Sequence, residues 1–111
     1  MSAGDWKSFY QAAVDGDLPL VRHHLAEGVD PNYQHPEVLR TALVASLVEG
    51  YPEVAAYLLA HGADPGLVSG LDGLTPLQAA RKHGHEEIAA LLRQLGATET
   101  RQSFWWRWLP V

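Results

Sequence analysis

Residues 70–96, GLDGLTPLQAARKHGHEEIAALLRQLG, decide the fold. Thr75 stands where a helix N-cap is wanted. Pro76 follows at the first helical position, where its missing N–H would have had no intrahelical partner anyway. Leu77, Ala79 and Ala80 make a short apolar helix that Gly84 ends. Ile88, Leu91, Leu92 and Leu95 then recur at i, i+3, i+4 and i+7, which is one face of a second helix. Gly96 is placed to take the left-handed conformation that closes it. The stretch therefore reads as a turn, two short antiparallel helices and a stop.

Working outward, the same unit occurs twice upstream. Gly28, Gly62 and Gly96 are 34 residues apart, and so are Gly16, Gly50 and Gly84. Thr41 matches Thr75, Leu43 matches Leu77, and Leu20 and Val54 match Ile88. GVDP at 28–31, GADP at 62–65 and GAT at 96–98 close the three units. Repetition at this period is the mark of a solenoid. The predicted helix pairs are 6–14 with 18–27, 41–49 with 52–61, and the pair within 75–95. Asp17 is placed to cap the second helix with Pro19 just inside it. Pro31 and Pro36 argue against a regular sheet in the first connector.

A period of 34 also suits tetratricopeptide repeats, but those join their helices by short turns. Here 13 residues rich in Pro, Gly and Asp separate Gly62 from Thr75, enough for an extended hairpin-like connector. DGLTPLQAARKHGHEEIAALLRQLGA at 72–97 resembles a terminal ankyrin repeat. TALVASLVEGYPEVAAYLLAHGADP at 41–65 resembles an internal one, and KSFYQAAVDGDLPLVRHHLAEGVDP at 7–31 a degenerate first one. The resemblance covers residues 6–99, with repeats at about 6–33, 38–67 and 70–99, a leader at 1–5 and an aromatic tail at 100–111. It implies an all-α, ankyrin-repeat-like solenoid of three helix-turn-helix units. Gln78 and Val44 stand where the family has histidine, so the side-chain bond across the Thr-Pro turn is expected to be altered or absent. Both connectors are one residue longer than the usual 33-residue unit.

The bulk properties narrow the function. At 111 residues the chain is one domain, burying about two-thirds of its unfolded surface. It contains no run of 18 apolar residues and no signal-peptide pattern at MSAGDWKSFY. The absence of cysteine excludes disulfides and thiolate catalysis and suits a reducing, cytoplasmic compartment. A formal net charge of −5 argues against a nucleic-acid partner. Only Lys7 and Lys82 are lysines, and this usage, with abundant Ala and Leu, points to a GC-rich bacterial genome.

Catalytic chemistry finds little footing. The histidines lie apart in sequence or, as His23 and His24, side by side on a helix where neighbours point apart, and no HExxH or dense ligand spacing occurs. His83 and His85 flank Gly84, and a Gly-His pair between two helices has a structural explanation. No serine sits in a nucleophile elbow, and Ser46 reads as a small core residue. Asp30 and Asp64 match across repeats and read as turn-formers. The expectation is therefore no enzyme, no cofactor and no metal.

Binding remains. In ankyrin-like stacks, connector tips and first helices line one concave face. Carried over by position, the resemblance implies a partner-binding set of Trp6, Val14, Asp15, Glu37, Val38, Arg40, Val48, Glu49, Leu71, Asp72, Leu74, Lys82 and His83. About half of these are expected to pack between repeats instead. The set joins apolar anchors to acids, which suits a protein partner with a basic surface. The implied function is a non-catalytic adaptor or inhibitor. The alternatives are an assembly protein acting through its tail, or a bacterial immunity or antitoxin-type regulator.

The tail TRQSFWWRWLPV at 100–111 carries +2 from Arg101 and Arg107, against −7 for the rest. Phe104, Trp105, Trp106, Trp108 and Leu109 are expected either to cap the apolar outer helix of repeat 3 or to dock a partner. Two arginines and a short apolar segment are too little for stable membrane anchoring.

Overall fold

The computed structural model describes residues 5–36, 38–70 and 73–97. They form six helices, α1 Trp6–Asp15, α2 Leu18–Ala26, α3 Ala42–Glu49, α4 Pro52–Ala60, α5 Pro76–Lys82 and α6 Glu86–Gln94, and no strand occurs among the described residues. Successive helices pair as antiparallel hairpins. The inner helices α1, α3 and α5 stack on one another in sequence, and α2, α4 and α6 follow as an outer row.

The punctuation seen in the sequence is what ends and turns these helices. Gly16, Gly50, Gly84, Gly28, Gly62 and Gly96 all have φ between 74° and 105°, the left-handed region that a side chain disfavours. Thr41 and Thr75 share one backbone conformation, φ −81° and ψ 159°. Each hydroxyl accepts a hydrogen bond from the amide three residues on, Val44 at 3.2 Å and Gln78 at 3.0 Å. The Asp17 carboxylate does the same for Leu20 at 3.2 Å.

The bond across the Thr-Pro turn is altered in repeat 3 and absent in repeat 2. The bond across the Thr75-Pro76 turn is not lost with the family's histidine. Gln78 supplies it, its Oε1 accepting from the Thr75 amide at 3.0 Å, which completes a capping box. In repeat 2 the hydroxyl bond stands alone because Val44 has no acceptor to offer.

The core runs continuously through all three units. Leu43, Leu47, Leu58, Leu77 and Leu92 are its largest buried side chains, each contributing about 1.5–3 kcal/mol by leaving water. Ala12, Ala13, Ala45, Ala79, Ala80 and Ala89 are buried between them and let the helices approach closely. Ser46 is fully buried as a small core residue, its hydroxyl donating to the Leu43 carbonyl at 2.8 Å. His24 occupies the place that Leu58 and Leu92 take in the later repeats. It is 7% exposed and neither ring nitrogen has a hydrogen-bond partner. His23 points to solvent from the same helix, yet the two rings meet edge-on with centroids 5.4 Å apart.

Between units the connectors are tied by side chains rather than by a ladder. Asn32 donates to the Gly62 carbonyl at 3.0 Å and accepts from the Asp64 amide at 2.7 Å. Gln34 donates to the Val68 carbonyl at 3.1 Å and accepts from the Gly70 amide at 3.0 Å. Asp30 and Asp64 hold their turns as expected, accepting from Asn32 and Gly66 at 2.9 Å each. His85 extends the tie to the helices, its Nε2 lying 2.9 Å from the Leu47 carbonyl of the preceding repeat. That contact gives the Gly84-His85 pair its structural explanation.

Candidate functional site

The helix order separates the sequence-derived residues into two groups. Trp6, Val38, Arg40 and Leu74 sit where chains enter the inner helices. Val14, Asp15, Val48, Glu49, Lys82 and His83 sit where those helices end. An inner helix of eight residues spans about 12 Å, and that length separates the groups.

At the entry end, Trp6, Val38 and Arg40 come together around a small pocket also lined by Tyr10, Asp30, Tyr33 and His35. Trp6 stacks on His35 with centroids 4.1 Å apart and planes 11° from parallel. Tyr33 leans against the indole at 5.9 Å and against the imidazole at 6.2 Å. This aromatic knot fastens the start of α1 to the first connector. Trp6 is thus half-buried and spends much of its face within the protein. Reading the chain by repeat position did not bring in Tyr33 and His35, because a connector has no periodicity to mark which side chains fold inward.

At the exit end the repeat spacing makes a row. Val14, Val48 and Lys82 are equivalent, as are Asp15, Glu49 and His83. Val14 and Val48 are half-buried, whereas Asp15, Glu49, Lys82 and His83 are exposed. Asp15 also accepts from the Gln11 amide at 3.0 Å. The row therefore passes from acidic in repeats 1 and 2 to basic in repeat 3. Val48 and Leu74 pack against the core, so their apolar surface is only partly free. Glu37, Leu71 and Asp72 lie outside the described residues, as do Phe104, Trp105, Trp106, Trp108 and Leu109.

Repeat 3 ends the stack with part of its apolar helix turned inward. Ile88 and Leu92 face the core, Leu91 is half-buried, and Leu95, the residue that caps the outer helix, is exposed. On the inner helix, Gln78 and Arg81 replace the fully buried Val44 and Leu47 of repeat 2. Much of the end face is already polar, as a terminal repeat requires.

Residue by residue, the site offers apolar contact, hydrogen bonding and charge, the means of recognising a surface. No three His, Asp or Glu side chains gather into a metal-binding group among the described residues. No helix among them is long and apolar enough to cross a membrane.

Six helices in three stacked hairpins, joined by extended connectors at a 34-residue spacing, define a helical repeat solenoid. The chain belongs to the ankyrin repeat family: the family model for three copies of the ankyrin repeat matches residues 9–103. Its fold is similar to the crystal structure of an ankyrin repeat domain from Acinetobacter baumannii AYE, with 38% sequence identity and a TM-score of 0.73. The match covers 81% of this chain and 47% of that one, so the chain corresponds to about half of its neighbour's length. No curated protein matches it. Ankyrin repeats are generally protein–protein interaction modules and typically not catalytic.

Proposed function

We propose that this protein is a cytoplasmic bacterial adaptor or inhibitor that holds one partner protein on its concave face. The observation that carries the reading is the exposed row at the ends of the inner helices. Asp15 and Glu49 present negative charge in two successive repeats, beside the half-buried Val14 and Val48. Apolar contact flanked by charge is what a specific, reversible interface uses. The partner that fits has a basic surface, given the acids on the row and a net charge of −5.

The test begins with affinity purification of the wild-type chain from its host. The recovered protein is then titrated with an Asp15→Lys, Glu49→Lys double variant. Both positions are exposed, so the variant should fold normally. Association should slow and lose much of its salt dependence. Binding that ignores both substitutions would move the interface to the outer helices or the tail. The tail reading, in which residues 103–109 dock a partner, would then be favoured, and deletion of those residues would abolish binding.

A further inference from the structure

A groove lies on the outer row, between α2 of repeat 1 and α4 of repeat 2. Its volume is about 310 Å³, at the small end of the range for ligand pockets. Leu25, Val29 and Pro31 give it an apolar lining, and Arg22, Tyr57 and His61 supply its polar groups. In a chain of net charge −5, this groove is lined by an arginine and by no carboxylate. None of these residues belongs to the row at the ends of the inner helices.

The polar groups are held close together. His61 stacks on the Tyr57 ring, with centroids 4.0 Å apart and planes 20° from parallel. The Arg22 guanidinium carbon lies 5.9 Å from the centre of the same ring. Tyr57 is half-buried and packs against the core, so it steadies both neighbours. His61 Nδ1 is 3.0 Å from the Tyr57 carbonyl. A carbonyl only accepts, so Nδ1 carries the hydrogen and the neutral ring keeps Nε2 as an acceptor. Among the described residues, neither the Arg22 guanidinium nor the Tyr57 hydroxyl makes a hydrogen bond or an ion pair. The groove thus offers two different donors beside one acceptor, all unspent.

Stacking does not require these groups. One repeat on, the positions of Arg22, Tyr57 and His61 are held by Ala56, Leu91 and Leu95, and α4 packs on α6 there as α2 packs on α4. Apolar side chains therefore serve the stack at these positions, and the polar set is particular to this groove. We infer that the groove binds the free C-terminus of a peptide whose last residue is apolar. The carboxylate pairs with Arg22 and accepts a second hydrogen bond from the Tyr57 hydroxyl, and bonds of this charge-assisted kind are the strong ones. The last backbone N–H donates to His61 Nε2, while the terminal side chain rests on Leu25, Val29 and Pro31. The site goes beyond the adaptor reading and does not depend on the acidic row.

The probe is an acetylated tripeptide ending in leucine with a free carboxylate, titrated into the full chain and followed by NMR shifts. Amidating its C-terminus should weaken binding by about tenfold or more, and so should Arg22→Ala. Tyr57→Phe, which keeps the ring that positions Arg22 and His61, should weaken it by about threefold to tenfold. Isocaproate has the carboxylate and the apolar body but no N–H, and should bind about threefold more weakly or worse. The Asp15→Lys, Glu49→Lys double variant should bind the peptide as the wild-type chain does. The amide control needs no substitution, so it decides even if a variant disturbs the fold. No binding of the free-acid peptide, or equal binding of acid and amide, would overturn the inference. Isocaproate binding as tightly as the peptide would overturn the peptide assignment and give the groove to small carboxylic acids. Loss of peptide binding in the double variant would move the site to the acidic row and overturn the groove, leaving the adaptor reading in place.

Discussion

The ring of Tyr51 lies directly over Gly16, so that a Cβ built on the glycine would stand 2.8 Å from the ring's Cγ and nearer still to its edge atoms. Gly16 ends α1 with φ 74°, and Tyr51 is the N-cap of α4, the second helix of the next repeat. The contact helps lock neighbouring units, alongside the amide bridges of Asn32 and Gln34 and the His85–Leu47 bond. It also separates two reasons for glycine that look identical in the sequence.

Gly16, Gly50 and Gly84 share the left-handed conformation, but nothing lies within 4 Å of a Cβ at Gly50 or Gly84. Gly50→Ala and Gly84→Ala should therefore lose only the backbone term, about 1–2 kcal/mol. Gly16→Ala must also displace an aromatic ring at an inter-repeat contact, for a total of about 2–5 kcal/mol. Urea unfolding of the three variants gives the comparison. Three equal losses would mean that Tyr51 swings aside freely and does not lock the repeats.

His24 invites the opposite change. Its ring is buried at a leucine position of the repeat with both nitrogens unpartnered. Replacing an unsatisfied polar group with an apolar one of similar volume removes a desolvation penalty. His24→Leu should stabilise the chain by about 1–2 kcal/mol, read from the urea midpoint. A destabilised variant would show that the imidazole, through its edge contact with His23 or its shape, is worth more than its buried nitrogens cost.

How much of this was legible beforehand depended on repetition. The three units, their glycine stops and the two threonine caps were readable because each recurs 34 residues on, and a recurring residue reports a backbone need rather than chance. Leu43 and Leu77, which match each other 34 residues apart, are both buried in the core. What escaped were residues that occur once. Asn32 and Gln34 hold the connectors together, yet the equivalent positions in the second connector are Gly66 and Val68, so no pattern announced them. Gln78 was read as a departure from the family's histidine. Its physical equivalence, an acceptor three residues after the cap, appeared only with the side chain in place. The apolar helix α6 was read as needing cover because periodicity cannot say which of its leucines already face the hairpin partner.

The capping box makes Thr75 and Gln78 a coupled pair. Thr75→Ala should lose about 1 kcal/mol, and Thr75→Ser much less, because serine retains the acceptor. Gln78→Val copies the arrangement of repeat 2 and removes only the reciprocal bond, a loss of about 0.5–1.5 kcal/mol. Thermal unfolding of the three variants is the measurement. Equal losses for Thr75→Ala and Thr75→Ser would assign the effect to the packing of the threonine methyl group, which is buried, and not to its hydroxyl.

The end face of repeat 3 sets the expectation for the aromatic tail. An exposed apolar face would have demanded a cover, and truncation would then unfold so short a stack. The face is instead largely polar: Gln78 and Arg81 stand where repeat 2 buries Val44 and Leu47, and Ile88 and Leu92 are turned into the core. Leu95, 48% exposed at the end of α6, and the half-buried Leu91 are the large apolar side chains left partly open there. Covering what remains of two leucines yields about 1–2 kcal/mol at most. Truncation after Thr100 should therefore lower stability by no more than that amount and leave the protein monomeric or not as the full chain is. Calorimetry and light scattering on both chains provide the check. A loss of several kcal/mol, or aggregation of the shortened chain alone, would show that residues 101–111 cover far more of repeat 3 than its two remaining leucines require.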